Sequence, residues 1–513
     1  MAVDVAQKVP GHAGLGIYRR MFVGSGVYAV ATFAGRFASF ILLPLYTRYL
    51  TPTDYGVLEL LELTLYVFGT LVGMRLGDAL IYRWSIAVND PDRQTTALST
   101  AYWGAFLLAG ASFATGWFLS PWLSILVFGS AQYTQPFRLM FSSFAASLPM
   151  EIALSYARVS DRASHYMAFS VARLVLTASL NVFFLVSLHL RFEAMLWSGL
   201  IASAALSLAT GPYLLQFGRR LTSFQFSELR QILGYGVPLG IGGMGFLVMH
   251  YGDRFFLRQY ATLADIGIYA LAYKIGMLIT TLQTPFDVYW RAQMFQIVKR
   301  PDGDRVYVRV CTYLTVVLMA FVVFLMVFSQ PILRIMAGPA FGAAAKYVPW
   351  VALVYVIRTV GGHFRGAFLL EGKTQQDAAV VWLAALVCLA CYALLIPRYL
   401  LWGAVAATGI AFTTMFAAGL WQAQRVRPFD FEYRRMLLPL LAAVPVAILH
   451  FWLPPQGMLL QIFTGCCLMI IYVVLLLATG FLNPGEKQQA VRTAGLVDAW
   501  IRGRLGLALR SDS

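Results

Sequence analysis

Two stretches decide how this chain folds: YLTPTDYGVLEL at residues 49–60 and YATLADIGIYAL at residues 260–271. Aligned without a gap, they share Tyr49 with Tyr260, Thr51 with Thr262, Asp54 with Asp265, Gly56 with Gly267 and Leu60 with Leu271. Roughly one match in twelve is expected by chance, so the five read as an internal duplication offset by about 211 residues. Each copy has the chemistry of a tight reversal: Thr and Asp, with Pro52 in the first, start the turn, and Gly56 or Gly267 opens the next helix.

Composition says where such a reversal sits. The 513 residues are 59% hydrophobic and 12% charged, with a mean hydropathy of +0.70. That balance excludes a soluble domain. Apolar segments long enough to cross about 30 Å of hydrocarbon recur from Met21 to Leu482, about fourteen in all. They are too long and uniform for barrel strands, so the expected fold is an all-α polytopic membrane protein. Arg19 and Arg20 precede the first segment with no small-residue cleavage site, so it reads as a retained membrane helix rather than a signal peptide. The net charge of +16 could suggest nucleic acid. With the N-terminus in the cytoplasm, however, Lys and Arg concentrate on one side by roughly 25 to 7, in stretches such as VKRPDGDRVYVR (298–309) and RVRPFDFEYRR (425–435). The bias is the positive-inside pattern, with both termini cytoplasmic, and it needs no nucleic acid.

The first copy joins spans one and two, and the second joins spans seven and eight. An even number of spans lies between them, so the halves are parallel repeats about an axis along the membrane normal, an arrangement that encloses a site between two lobes. The expected organisation is a cytoplasmic N-terminus (1–20), an N-terminal six-helix lobe (21–217), a linker (218–230), a C-terminal six-helix lobe (231–423), an added helix pair (435–482) and a cytoplasmic tail (483–513).

On these residues the chain resembles a known family. The run ILLPLYTRYLTPTDYGVLEL (41–60), its weaker second copy preceded by DRFFLRQY (253–260), and spans in six plus six plus two look like the Wzx-type polysaccharide flippases of the MOP superfamily. The resemblance implies a MATE-like fold and a non-enzymatic flippase. Its implied cargo is undecaprenyl-pyrophosphate-linked oligosaccharide, moved from the cytoplasmic to the periplasmic leaflet by alternating access in lipopolysaccharide (O-antigen) or exopolysaccharide biosynthesis. It also implies a polysaccharide polymerase and export machinery as partners.

Charge inside the spans supplies the candidate site. An Arg or Lys at a bilayer centre costs about 2.5–3.5 kcal/mol on insertion scales, so such residues face an interior cavity and mark function. Arg36, Arg173, Lys274, Arg358 and Arg365 lie within spans one, five, eight and ten, and such a surplus of cations suits a pyrophosphate. The competing reading ties them to intramembrane acids, as Arg75 could be tied to Asp78. Arg75 and Arg254 lie nearer span ends and are expected to snorkel. Glu59 and Glu62 share a face of span two with Tyr66; they are candidates to couple transport to H+ or Na+, or braces against Arg36 or Lys274.

Other motifs read as structural. GIGGMG at 240–245 matches a dinucleotide fingerprint, but it lies inside a span after Pro238. Pro238, Gly240, Gly242 and Gly245 are therefore expected to serve close packing or a gating hinge. Cys388 and Cys391, like the other cysteines, sit in apolar segments, and no metal or organic cofactor is expected. His250 and His363 read as core or mouth-lining. In the tail, Val497, Trp500, Ile501 and Leu505 fall on one face beside Arg502 and Arg504, as in an interfacial helix. The alternative functions are a lipid II flippase, whose cargo carries the same pyrophosphate, and a MATE-type antiporter, whose cationic cargo an Arg-rich cavity would repel. A membrane-embedded polymerase fits less well, because no paired-acid or nucleophile motif stands at a loop.

Overall fold

The computed structural model describes residues 40–72, 75–87, 89–216, 222–453, 457–483 and 486. Arg36, most of the first span and the tail helix lie outside the described residues. Those described are helical, with no strand among them. In chain order the helices are α1 (Leu43–Tyr49), α2 (Pro52–Val72), α3 (Leu76–Ile86), α4 (Pro91–Phe128), α5 (Thr134–Val159), α6 (Ala163–Val182), α7 (Glu193–Gln216) and α8 (Phe226–Tyr260). There follow α9 (Leu263–Gly276), α10 (Leu278–Ile297), α11 (Gly303–Met336), α12 (Val348–Phe364), α13 (Gly366–Leu370), α14 (Thr374–Val426), α15 (Tyr433–Trp452) and α16 (Met458–Ala478).

This is a multi-pass membrane protein. Among the described residues, eight helices are long and apolar enough to cross a membrane, or nine if the bent pair Pro339–Lys346 and Val348–Leu370 counts as one. That criterion does not reach the expected fourteen, for physical reasons. Arg75, in the left-handed region at φ 48, separates α2 from α3. The long α8 carries Glu228, Arg230, Asp253, Arg254 and Arg258. As one helix the 53 residues of α14 would run about 80 Å, more than twice the hydrocarbon thickness. Leu400, at φ 49 and ψ −123, breaks it into two legs.

The chain divides into two compact units, Met1–Tyr289 with Ile332–Arg427, and Trp290–Pro331 with Pro428–Ser513. In the first, α4 packs on α5 through small residues: Ser112, Ser120 and Ser124 are buried on α4, and a side chain at Gly116 would overlap the Phe141 ring. Small residues allow such close approach where apolar burial gives helices no net attraction in lipid. Leu76, Leu80, Leu98, Ile152 and Tyr156 form a core beneath α3 and α5.

Helix α8 divides its contacts. At its start, Arg83 of α3 makes a bidentate ion pair with Glu228, both bonds 2.7 Å, and Tyr82 stacks on Tyr235 at 4.2 Å. Farther along, a side chain at Gly245 would meet Val381 of α14 at 3.2 Å, and the Tyr392 hydroxyl donates to the Met249 carbonyl. The helix is continuous through Pro238, Gly240 and Gly242, whose surroundings lie outside the description.

In the second unit, Tyr307 of α11 stacks on Phe429 at 4.5 Å, and a side chain at Gly465 of α16 would press on Val327 and Phe328 at 2.8 Å. Arg435 pairs with Glu432 and Glu486, each at 2.8 Å, and Tyr313 donates to Glu486 at 2.6 Å.

Candidate functional site

The two copies of the duplicated stretch meet. Helices α2 and α9 cross at Gly56 and Gly267 so closely that a Cβ on Gly56 would overlap the Leu263 carbonyl oxygen, and one on Gly267 the Pro52 carbonyl oxygen. Each helix starts from a reciprocal cap. The Thr51 amide donates to Asp54 at 3.0 Å while the Asp54 amide donates back to the Thr51 hydroxyl at 3.2 Å. Thr262 and Asp265 repeat the arrangement at 3.2 and 3.1 Å. The matched Thr, Asp and Gly therefore make a capping box and a glycine-only crossing.

Neighbouring ties close the same end. The Tyr55 ring meets Phe341 edge-on at 5.7 Å, Thr47 donates to the Met336 carbonyl at 3.0 Å, and Arg258 donates to the Phe128 carbonyl at 2.6 Å. Asp54, 2% exposed, also pairs with Arg191 at 2.8 Å.

Beyond the seal lies a chamber of about 320 Å³ lined by Tyr46, Tyr55, Glu59, Glu62, Tyr66 and, from the other half, Tyr251, Arg254, Tyr273 and Lys274. Arg254 is the centre of its wall. Its Nε donates to Glu59 at 3.2 Å, and its Nη1 donates to Asp253 at 2.7 Å and to the His250 carbonyl at 2.8 Å. Its guanidinium lies 4.2 Å from the Tyr273 ring centre, and Tyr269 donates to the other oxygen of Asp253. Burying such a set is tolerable only because each charge has a partner. Lys274 donates to the Tyr55 hydroxyl at 3.4 Å.

Glu62 and Tyr66 also line a second chamber of about 700 Å³. Its walls come from α2, α3, α5 and α8, with Thr70, Arg75, Asp78, Glu151, Ser155 and Arg158 as polar lining and Gly243, Phe246 and Leu247 across from them. Arg75 pairs with Asp78 at 2.9 Å, the i, i+3 tie its spacing allows. Arg158 donates to Ser155 at 3.0 Å and lies over the Tyr166 ring.

Of the five expected cations, the structure brings Lys274 to the chamber. Arg173 pairs with Glu151 at 3.3 Å, so it reaches the larger chamber through that carboxylate. Arg365 pairs with Asp377 at 2.9 Å, its stem packed against Gly419, and stands behind Phe246 of the chamber wall. Arg358 faces Tyr355, the tyrosine bonded to His250 at 2.8 Å. Arg36 lies outside the described residues. Glu59 is braced, but by Arg254 rather than by Lys274, whereas Glu62 is exposed in the cavity.

Arg254 corrects the snorkelling expectation: it is 1% exposed and central. The missed signal was its position six residues before Tyr260, where the second copy begins, beside an acid at Asp253 that could hold it inside. Arg158 was missed because it sits at the end of its helix. GIGGMG lies inside α8 with no strand before it, and no cluster able to hold a metal occurs among the described residues.

A family model described as "Polysaccharide biosynthesis protein" matches residues 22–287, and a second, "MatE", matches residues 298–395. No curated protein matches the chain. Among solved structures, the lipid II flippase MurJ in an inward closed conformation aligns at TM-score 0.70 and 14% identity, over 87% of this chain and 97% of that one. An inward-facing multidrug resistance MATE transporter of the MOP superfamily aligns at TM-score 0.60 and 14% identity, over 76% and 94%. A point mutant of the Vibrio cholerae MATE transporter VcmN aligns at 0.53 and 14%, over 79% and 97%.

Proposed function

From a chain that belongs to the polysaccharide biosynthesis protein family of the MOP superfamily, we propose a flippase that moves an undecaprenyl-pyrophosphate-linked oligosaccharide from the cytoplasmic to the periplasmic leaflet by alternating access. The observation that carries this reading is a polar, tyrosine-rich cavity, built from both halves and closed at one end by the paired duplicated stretches. A larger chamber adjoins it of a size that suits a sizeable ligand. Opening at Gly56 and Gly267, with α8 flexing between its Arg83–Glu228 anchor and its packing on α14, would expose the cavity to the other side. Glu62, exposed in the cavity, is the candidate for a coupling H+ or Na+. The Lys and Arg asymmetry supports cytoplasmic termini, and the resemblance to polysaccharide flippases supports the bacterial inner membrane as the location.

A cation-expelling antiporter is a second reading, favoured by Glu59, Glu62 and Asp253 around the smaller chamber. The fold likeness to a lipid II flippase favours that cargo equally. One experiment separates them. Purified protein in liposomes receives fluorescent undecaprenyl-diphosphate oligosaccharide, lipid II, or a cationic dye, and transfer between leaflets or across the bilayer is measured for wild type and for Arg36→Glu and Lys274→Glu variants of normal membrane level. Oligosaccharide transfer that these reversals abolish supports the proposal. Lipid II transfer alone, or dye export that survives them, refutes it.

A further inference from the structure

We infer that the chain carries a second ligand site, an outer cleft beside the Gly56–Gly267 seal that takes up neutral sugars of the cargo as they emerge. It rests on the flippase reading for the source of those sugars, and it uses no residue that lines either chamber.

The cleft, of about 620 Å³, lies between the turn that joins α4 to α5 and the first turns of α7, and its lining includes Gln132, Tyr133, Gln135, Arg191, Glu193 and Trp197. That volume falls within the range of small-ligand pockets, about 300–1,000 Å³. By span count and the Lys and Arg asymmetry, this end of the molecule is the periplasmic one.

Local structure sets the polar groups in place. Helix α4 ends at Gly129, whose φ of 69 lies in the left-handed region that glycine adopts without strain. Ala131–Tyr133 then form a 3₁₀ turn. The Ser124 hydroxyl accepts from the Tyr133 amide at 3.1 Å, and the Tyr133 ring centre lies 4.2 Å from that of Phe128. Gln132 and Gln135 are three residues apart across this turn, so their carboxamides share a side. Both are exposed, and neither side chain has a hydrogen-bond partner among the described residues. Opposite them Trp197 is 41% exposed and belongs to no ring pair among the described residues. Each carboxamide offers donors and an acceptor to sugar hydroxyls, and the indole offers a flat apolar face to the C–H side of a sugar ring.

Charge argues for a neutral ligand. Arg191 is the cation of the lining, and its Nε and Nη2 already donate to Asp54 at 3.3 and 2.8 Å. Releasing them would strand a carboxylate that is 2% exposed. Arg138, close by in sequence, lies over the Trp117 ring at 4.4 Å instead. Glu193 has no cation partner among the described residues. A phosphate or an anionic lipid headgroup would therefore meet a carboxylate with no uncommitted cation beside it, whereas a sugar hydroxyl can donate to that carboxylate.

Position argues for the cargo. Arg191 fixes the cleft to Asp54, the cap of α2, and Tyr133 packs on Phe128, whose carbonyl accepts from Arg258 near the end of α8 at 2.6 Å. Asp265, the counterpart of Asp54 in the second copy, has no arginine partner among the described residues. The cap itself therefore does not need one, and the extra tie belongs to the half that carries the cleft. Sugars held there favour the state in which they have crossed.

The test uses the full-length protein in nanodiscs and a panel of soluble, neutral di- to tetrasaccharides of hexoses and N-acetylhexosamines, with binding read by saturation-transfer NMR. At least one member should bind wild type. Trp197→Ala should weaken it about tenfold and Trp197→Phe less, because a smaller ring keeps part of the stacking. Gln132→Ala with Gln135→Ala should weaken it about fivefold or more at an unchanged melting temperature, since both side chains are exposed and unbonded. Binding equal in wild type and all these variants overturns the inference. So does displacement of the saccharide by inorganic diphosphate, which would make the cleft an anion site. A lower melting temperature in Trp197→Ala with saccharide binding intact makes that residue a membrane-interface anchor and overturns it as well. Wild type that transfers lipid-linked oligosaccharide but binds no member of the panel overturns the cleft and leaves the flippase reading standing. Saccharide binding that the variants weaken, in a protein that transfers no lipid-linked oligosaccharide, supports the cleft and overturns the flippase reading.

Discussion

Adding one methyl group at Gly56 should unlatch the closed end. In Gly56→Ala the new Cβ meets the Leu263 carbonyl, and with it the backbone of α9 rather than the end of a flexible side chain. Overpacking of this kind costs about 1–3 kcal/mol, and a backbone obstacle puts it in the upper half of that range. At about 1.4 kcal/mol per factor of ten, the sealed conformation loses roughly thirty- to a hundredfold against any conformation in which α2 and α9 stand apart. A minor conformation held at about 1–10% of the population, the upper part of the usual range, would then become comparable or dominant. Spin labels on cysteines placed at Thr53 and Ala264, in a chain stripped of its native cysteines, report this directly by pulsed dipolar spectroscopy. Wild type should give one short separation and Gly56→Ala a majority of longer ones, with slower lipid transfer. Gly267→Ala should do the same, and the double variant little more, because one separation relieves both clashes. Gly110→Ala, which meets nothing within 4 Å, is the control and should change neither readout. Wild-type separations in a stably folded Gly56→Ala would refute the latch.

Other expectations follow from the ion pairs. Glu59→Ala takes one of two carboxylates from the buried Arg254, which keeps Asp253, and should cost about 1.5–3 kcal/mol, seen as a lower melting temperature that Glu59→Gln recovers in part. Glu62→Gln should leave stability unchanged and remove dependence on an ion gradient, whereas gradient-dependent transfer in that variant would take Glu62 out of coupling. Glu228→Ala breaks the bidentate bonds from Arg83 and should lower the melting temperature and loosen the start of α8 in hydrogen exchange, by about 1–3 kcal/mol of local protection. Glu486 lies beyond the last membrane helix. Burial raises its carboxyl, but the hydroxyl of Tyr313, the Asn483 amide and Arg435 outweigh that and hold it below its ordinary value. Its contribution is thus complete above the unfolded carboxylate value of about 4.3 and is lost as pH falls through the lower folded value. Protection of residues 481–483 should fade over that acid window in wild type and not in Glu486→Gln.

The fold was legible because membrane helices must satisfy their own backbone, so length and apolarity alone expose them. The duplication was legible for a different reason. Thr51, Asp54 and Gly56 and their counterparts are held by backbone requirements, a cap and a crossing, that permit few substitutes. The site was less legible, because facing direction is a property of tertiary packing. Arg365 and Lys274 are both cations within spans, yet one points at Asp377 and the other into a chamber. Arg254 sits near a span end by counting, and only the acids at Glu59 and Asp253, the first 195 residues away in sequence, make its burial tolerable.

The same comparison shows how one duplication supports an asymmetric site. At the offset that aligns the copies, Tyr55 stands opposite Ile266, Glu59 opposite Ala270, Glu62 opposite Tyr273 and Leu63 opposite Lys274. The positions that match build the latch; among those that differ, Tyr55, Glu59, Glu62, Tyr273 and Lys274 line the chamber. A symmetric latch lets the two halves part about a common axis, since each contributes an equivalent glycine and an equivalent cap. A symmetric chamber would instead set carboxylate against carboxylate across that axis, at a cost in low dielectric that an asymmetric acid, cation and tyrosine set avoids. Restoring symmetry therefore tests the division. Lys274→Leu with Tyr273→Glu copies the first half into the second and should destroy glycolipid binding while the Thr53–Ala264 separation stays at its wild-type value. A variant that kept the cargo and lost the latch would place the chemistry and the gate on the same residues, contrary to the geometry of both.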